Sequence, residues 1–255
     1  MKMTGNTILI TGGGTGIGRA LAEKFHALGN QVIVAGRRQG PLDEVVKANP
    51  GVAALTLDIE SGAAIAEFAR TLTARCPALN AVINNAGIMQ NEDFLNAPDT
   101  AVAEQTIAIN LLGPIRLTAA LLPHLRKQPE ATVMTVSSGL AFTPLAFTPT
   151  YSATKAAIHS FSQSLRFQLR DTKVQVIELA PPYVQTELMG PHQATDPMAM
   201  PLKDYIDEVM ALLKSSPDAK EILVERVKPL RFAEANGGYD AFFVKFNETL
   251  AAARH

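Results

Sequence analysis

Short apolar runs separated by longer helix-periodic stretches recur along this chain from Thr7 to Leu179, and that alternation narrows the fold more than any other feature. "TILIT" (7–11), "QVIVA" (31–35), "VAALTL" (52–57), "LNAVIN" (79–84), "ATVMTVS" (131–137) and "KVQVIEL" (173–179) have strand length and β-branched content. The stretches between them predict helices over about 16–28, 40–48, 61–75, 99–127 and 149–171, the fourth bent at Pro114. Strands that are apolar on both faces belong in a parallel sheet covered by helices on both sides. Right-handed crossovers then give a doubly wound α/β sheet, a Rossmann-type three-layer αβα sandwich.

No linker or break in composition divides this run, so one domain is expected over 1–255. Residues 189–202, "MGPHQATDPMAMPL", have no period, and a substrate lid is expected near 187–203. "KDYIDEVMALLK" (203–214) has helical spacing, "EILVERV" (221–227) reads as one more strand, and 228–255 is an atypical C-terminal tail. Hydrophobic residues make up 47% of the chain, enough for a sizeable core. With 23 basic and 24 acidic residues scattered along it, the chain has no nucleic-acid or membrane-surface footprint. The N-terminal apolar run is too short for a signal peptide, and no later uncharged stretch has spanning length. The lone Cys76 fits a reducing compartment, so a cytoplasmic protein is expected.

"TGGGTGIG" (11–18) lies between the first strand and the first helix. Gly12 allows a sharp turn, Gly16 lets a ligand approach the main chain, and Gly18 lets the helix pack closely on the strand. The free N–H groups and partial positive charge of a helix start suit a phosphate, so the turn is expected to bind a nucleotide. The spacing is G-x-x-x-G-x-G and not G-x-G-x-x-G.

That spacing, with Thr11 before it, resembles the short-chain dehydrogenase/reductase family, and further motifs follow in the order that family shows. They are "LDI" (57–59), "NNAG" (84–87), Asn110 in "IAINLLG", Ser138 closing "TVSS", and Tyr151-x-x-x-Lys155. The match runs from about residue 5 to 188. The resemblance implies a nicotinamide dinucleotide held by Gly12, Thr15, Gly16, Ile17 and Gly18, with Asp58 and Ile59 at the adenine. Asn85, Ala86 and Gly87 would line the cleft, Val184 and Thr186 would lie at the nicotinamide, and Tyr151 and Lys155 would also touch the cofactor. Where an acid would receive the adenosine ribose in NAD-preferring members, the second strand ends in Gly36, Arg37 and Arg38. A guanidinium pairs bidentately with phosphate, which selects NADP(H).

Lys155 lies one helical turn after Tyr151, so both project from one face. Thr148 is the expected cap of that helix and Pro149 its first turn. Ala153, Ala157, Phe161, Leu165 and Leu169 form the expected packing stripe, and small residues at 152–157 permit a close neighbour in the core or in a partner subunit. A phenol and an ammonium have ordinary pKa values of ~10 and ~10.4, so phenolate formation near neutrality needs nearby positive charge, which Lys155 together with the positive nicotinamide ring is expected to supply. By resemblance, Tyr151 exchanges the proton on the substrate oxygen, Ser138 holds that oxygen, Lys155 binds the nicotinamide ribose and Asn110 fixes a relay water. No metal is implied.

These residues predict an NADPH-dependent reductase of a ketone or aldehyde that works as a homodimer or homotetramer. The same residues would serve alcohol oxidation. A dinucleotide-sensing protein would have little use for the full set, and a nucleotide-sugar epimerase would show other glycine spacing. Leu140, Phe142, Leu145, Phe147, Tyr183, Leu188 and Met189 suggest a hydrophobic substrate side. The chain departs from the family at Pro182, where a glycine is usual, and in its longer tail.

Overall fold

The computed structural model describes residues 1–252. Seven parallel strands form one sheet in the order β3-β2-β1-β4-β5-β6-β7. The strands are β1 (Thr7–Thr11), β2 (Gln31–Gly36), β3 (Ala53–Thr56), β4 (Leu79–Asn84), β5 (Ala131–Val136), β6 (Val174–Leu179) and β7 (Glu221–Ile222). Helices α1 (Gly16–Ala27), α2 (Gln39–Ala48) and α7 (Leu202–Ser215) cover one face, burying Phe25, Leu42 and Tyr205 against Ile8, Ile10 and Val34. Helices α3 (Gly62–Arg75), α5 (Gly113–Leu125) and α6 (Pro149–Gln168) cover the other, where Leu72, Leu117 and Leu165 meet Leu9, Ile33 and Val133. Neighbouring residues of one strand therefore belong to opposite cores, as a pleat buried on both sides requires. Strand order reverses between β1 and β4, opening a crevice beyond their C-terminal ends.

Several elements differ from the sequence expectation. The long helix at 99–127 is broken: α4 (Ala101–Ile107) passes through a π-helical turn, Ala108–Leu112, into α5. The irregularity precedes Pro114, and it carries Asn110. Strand β3 is not apolar on both faces; its ends are exposed because it is the sheet's edge. The run 221–227 is not a full strand, since only two residues pair with β6. Val224 and Val227 are buried while Glu225 and Arg226 are exposed, a three-residue spacing that a 3-10 turn satisfies and a strand does not.

The expected stripe on α6 holds toward its C-terminal end, where Leu165 and Leu169 are buried and Phe161 packs on the core, and fails at its start. Ala153 and Ala156 are exposed, while Tyr151, Lys155, Ile158, Ser162 and Leu165 are buried. The tail folds as α8 (Lys228–Arg231) and α9 (Tyr239–Ala252); its last three residues lie outside the described ones. Among the described residues, Ala101–Leu125 is the one helical stretch long and apolar enough to cross a membrane; its α5 part packs on α3.

Phe25 is fully buried between α1 and the sheet. Phe25→Ala should cost about 3–5 kcal/mol of stability. Urea denaturation measures this, and an unshifted midpoint would contradict the packing described.

Candidate active site

The ends of β1 and β4 are laced together at the crevice. The Thr11 hydroxyl oxygen accepts from the backbone N–H of Asn85 and of Ala86, each at 3.1 Å, and donates to the Ile83 carbonyl at 3.4 Å. Asn85 Nδ2 returns hydrogen bonds to the Thr11 and Gly12 carbonyls at 3.0 and 3.3 Å. This packing leaves no room for side chains. A Cβ on Gly18 would sit 2.3 Å from the Gly12 carbonyl oxygen, and Gly12 itself has φ +64°. Gly16, at φ +51°, lies against Thr186, whose Cγ2 would be 3.4 Å from an added Cβ. Helix α1 then begins with no side-chain cap from Thr15 and no acid in its first turn, so its positive end is uncompensated.

A cleft of about 410 Å³ runs from this turn across the ends of β2 and β3. Gly12, Thr15, Arg37, Arg38, Ile59, Ala86 and Gly87 are on its walls. Arg37 and Arg38 are exposed and have no ion-pair or hydrogen-bond partner among the described residues. Asp58 is exposed beside the cleft, and its carboxylate accepts the Glu60 N–H at 3.1 Å. Half-buried Ile17 packs into the core behind the turn. A glycine-rich turn, an uncapped helix start and two unpaired guanidiniums fit a diphosphate with a further phosphate.

Ser138, Tyr151 and Lys155 come together on the far side of the crevice, each buried. Ser138 shares a hydrogen bond with the Tyr151 phenol, and its Oγ accepts the Leu140 N–H at 3.1 Å. Lys155 Nζ lies 5.4 Å from the centre of the Tyr151 ring and donates to the Val136 carbonyl at 2.8 Å. Burial pushes the phenol up to about 12, with the Ser138 hydrogen bond opposing. Burial likewise brings the Lys155 ammonium down to about 8, opposed by the negative charge of Glu178. For the phenol desolvation outweighs the Ser138 hydrogen bond, and Tyr151 keeps its proton at neutral pH.

Thr148 does not cap α6, since its hydroxyl is buried without a partner. Glu92 does the work from another loop, accepting from the Thr150 N–H at 2.9 Å and its hydroxyl at 2.7 Å. A carboxylate there suits the helix's positive end. Asn110 uses both ends of its amide on the backbone of Ile88, at 2.9 and 2.8 Å, and so braces the loop after β4 where Gly87 lies. Its π-helical turn packs against α6.

Beyond β6, Val184 is buried and pairs with Met200, and half-buried Pro182 follows Pro181, whose carbonyl accepts the Gly139 N–H at 2.8 Å. Buried Gln193 donates to the Val184 carbonyl at 2.7 Å and to the Thr186 hydroxyl at 3.1 Å, tying the 187–203 segment to the site. Sequence reasoning missed Gln193, which sits in an aperiodic loop without a local signal, and Glu92, whose partner lies 58 residues on. Of the expected apolar substrate wall, Leu145 is core. Phe142 turns away to stack edge-on with His159 at 4.8 Å. Leu188 remains exposed, and Leu140, Phe147, Tyr183 and Met189 are half-buried.

Comparison with known proteins places the chain. The family model for short chain dehydrogenases matches residues 6–197. The oxidoreductase DltE of Bacillus subtilis (strain 168), itself uncharacterized, is 41% identical over 251 residues, covering 97% of this chain and 98% of that protein. A short chain dehydrogenase from Burkholderia cenocepacia J2315 in complex with NADP superposes with a TM-score of 0.80 at 24% identity, over 96% of this chain and 98% of that one. The closed form of a serine dehydrogenase complexed with NADP+ gives 0.74 at 27% identity, over 80% and 88%. A glycine turn at the β1/β4 reversal, a buried Ser–Tyr–Lys group and these matches together establish that the chain belongs to the short-chain dehydrogenase/reductase family and is an NAD(P)-dependent oxidoreductase acting on small molecules.

Proposed function

We propose that the protein is an NADPH-dependent carbonyl reductase, in which Tyr151 donates the proton that converts a ketone or aldehyde oxygen to an alcohol. The carrying observation is the buried Ser138–Tyr151–Lys155 group across the crevice from the unpaired Arg37 and Arg38. The NADP+ held by the serine dehydrogenase relative supports the same cofactor. Bound NADPH supplies the hydride, and its phosphates suit the glycine turn while its 2′-phosphate suits the two guanidiniums. Gly12, Thr15, Gly16, Ile17 and Gly18 form the cradle. Asp58 and Ile59 are assigned to the adenosine end, Asn85, Ala86 and Gly87 to the cleft, and Val184 and Thr186 to the nicotinamide end.

The chemistry of the chain follows from protonation. The Tyr151 phenol, protonated at neutral pH, has the proton that a carbonyl oxygen needs on reduction. Ser138, already hydrogen-bonded to that phenol, holds the substrate oxygen next to the proton it receives. Lys155 places positive charge beside the phenolate left behind. The 187–203 segment, with Leu188 and Met198 exposed, is read as a lid over an apolar substrate. Exposed Ala153 and Ala156 on α6 suit a close subunit contact, in line with a homodimer or homotetramer.

NADPH absorbance followed against a panel of ketones and aldehydes tests this reading; no turnover across a broad panel, despite tight NADPH binding, would favour a sensor. Tyr151→Phe should lower kcat by about 10²–10⁴ with little change in NADPH affinity. Retained turnover would refute the proton-donor role. Arg37→Ala should weaken NADPH binding about ten- to a hundredfold and NADH binding far less. Isothermal titration with both cofactors decides, and equal weakening would remove the NADPH assignment. Because Lys155 is charged below its pKa of about 8, kcat/KM for reduction should fall as pH rises through that value. A pH–rate profile that stays flat to pH ~10 would contradict a charged Lys155 in the mechanism.

A further inference from the structure

Glu178 stands alone as an acid in the apolar run "VQVIEL" of β6, and it is completely buried. Its neighbour in the parallel ladder is another acid, Glu221 of β7. Two carboxylates paired across strands repel, and a buried one needs a counter-charge. Glu221 is satisfied by Arg231 of α8, which donates through Nε at 2.9 Å and a terminal nitrogen at 3.1 Å. Glu178 has no such clamp. One of its oxygens meets His159 Nδ1 at 2.7 Å, and the other is buried without a hydrogen-bond partner.

The face of α6 over Glu178 carries Tyr151, Lys155 and His159 at successive four-residue steps. Sheet register brings the same groups together. Thr135 and Val136 of β5 pair with Glu178 and Leu179, and Lys155 Nζ is anchored on the Val136 carbonyl. Other charged groups nearby are already engaged. Arg166 of α6 donates to the Val176 and Lys220 carbonyls, and Arg231 also stacks on Phe142 at 4.5 Å. His159, Glu178 and Glu221 bring metal-ligating atoms within 4.8 Å of one another, but Arg231 takes both oxygens of Glu221 and supplies the cation there.

We propose that Glu178 is a positioning residue of the reaction: its buried carboxylate, steadied by His159, is the counter-charge that keeps the Lys155 ammonium charged beside Tyr151. The inference rests on the roles proposed above for Tyr151 and Lys155. It accounts for an acid in a position where strand packing alone would select an apolar residue. Burial works against the Lys155 charge and Glu178 works for it. Without the carboxylate, desolvation acts unopposed and the ammonium loses its proton at lower pH.

The test is an NMR titration of protein carrying ¹³Cε-lysine, with the Lys155 signal assigned by its loss in Lys155→Arg. Glu178→Gln should move the Lys155 midpoint down by about one pH unit or more, and the alkaline fall of kcat/KM should move with it. Glu178→Asp, which keeps the charge, should retain the wild-type midpoint. Glu178→Thr, a neutral residue suited to a strand, should reproduce the shift and serves if the glutamine variant does not fold. An unmoved Lys155 titration in the neutral variants would overturn the proposal, however far activity falls, and would leave Glu178 a purely structural residue. Turnover that survives Tyr151→Phe would instead overturn the reading of Tyr151, while the titration still decides whether Glu178 sets the charge of Lys155.

Discussion

The Thr11 hydroxyl, bonded to the backbone after β4, is the contact on which the rest of the site depends. Strand order reverses between β1 and β4, so the segments that follow them lead to helices on opposite faces of the sheet and leave a crevice between them. A crevice without a tie would splay. Thr11 and Asn85 close it at its floor with short hydrogen bonds, and the absence of side chains at Gly12 and Gly18 lets the two turns come close enough to make them. The helix that begins above this floor, the cleft beside it and the loop that Asn110 braces take their positions from that junction.

Across the crevice, burial more than pairing sets the protonation of Tyr151 and Lys155. Tyr151 and Lys155 are both almost fully inaccessible, and desolvation pushes each toward its neutral form. For the phenol this keeps the proton available. For the lysine it works against the ammonium charge, and the carboxylate of Glu178, buried in β6, works for it. One desolvated environment therefore serves two groups of opposite charge type, with a single acid tipping the balance for one of them. Glu92 performs a comparable service at the start of α6, where a carboxylate from a distant loop stands in for the missing local cap.

The legible part of this protein is the part written in local pattern. Strand runs, helix period and the glycine turn are short-range, and the sheet formed from them is the one expected. The errors fall where neighbours decide. β3 is exposed at its ends because it became the sheet edge, and 221–227 turned because its valines face the core three residues apart. The stripe on α6 fails at its start because Ala153, apolar by composition, lies outside while Lys155 and Ser162, polar by composition, lie inside. Phe142 looked like a substrate contact by position but packs on His159 and Arg231, residues that sequence spacing could not bring to it.

The sequence by itself determined the doubly wound sheet, the glycine turn after β1 and the one-face placement of Tyr151 and Lys155, because each depends on a repeat or a spacing within a single element. Only the tertiary structure decided how charged those residues are. That depends on what is buried against them: Ser138 from β5's end, the Val136 carbonyl, and Glu178 from β6. A pKa is a property of surroundings gathered from across the chain, and no local pattern encodes it.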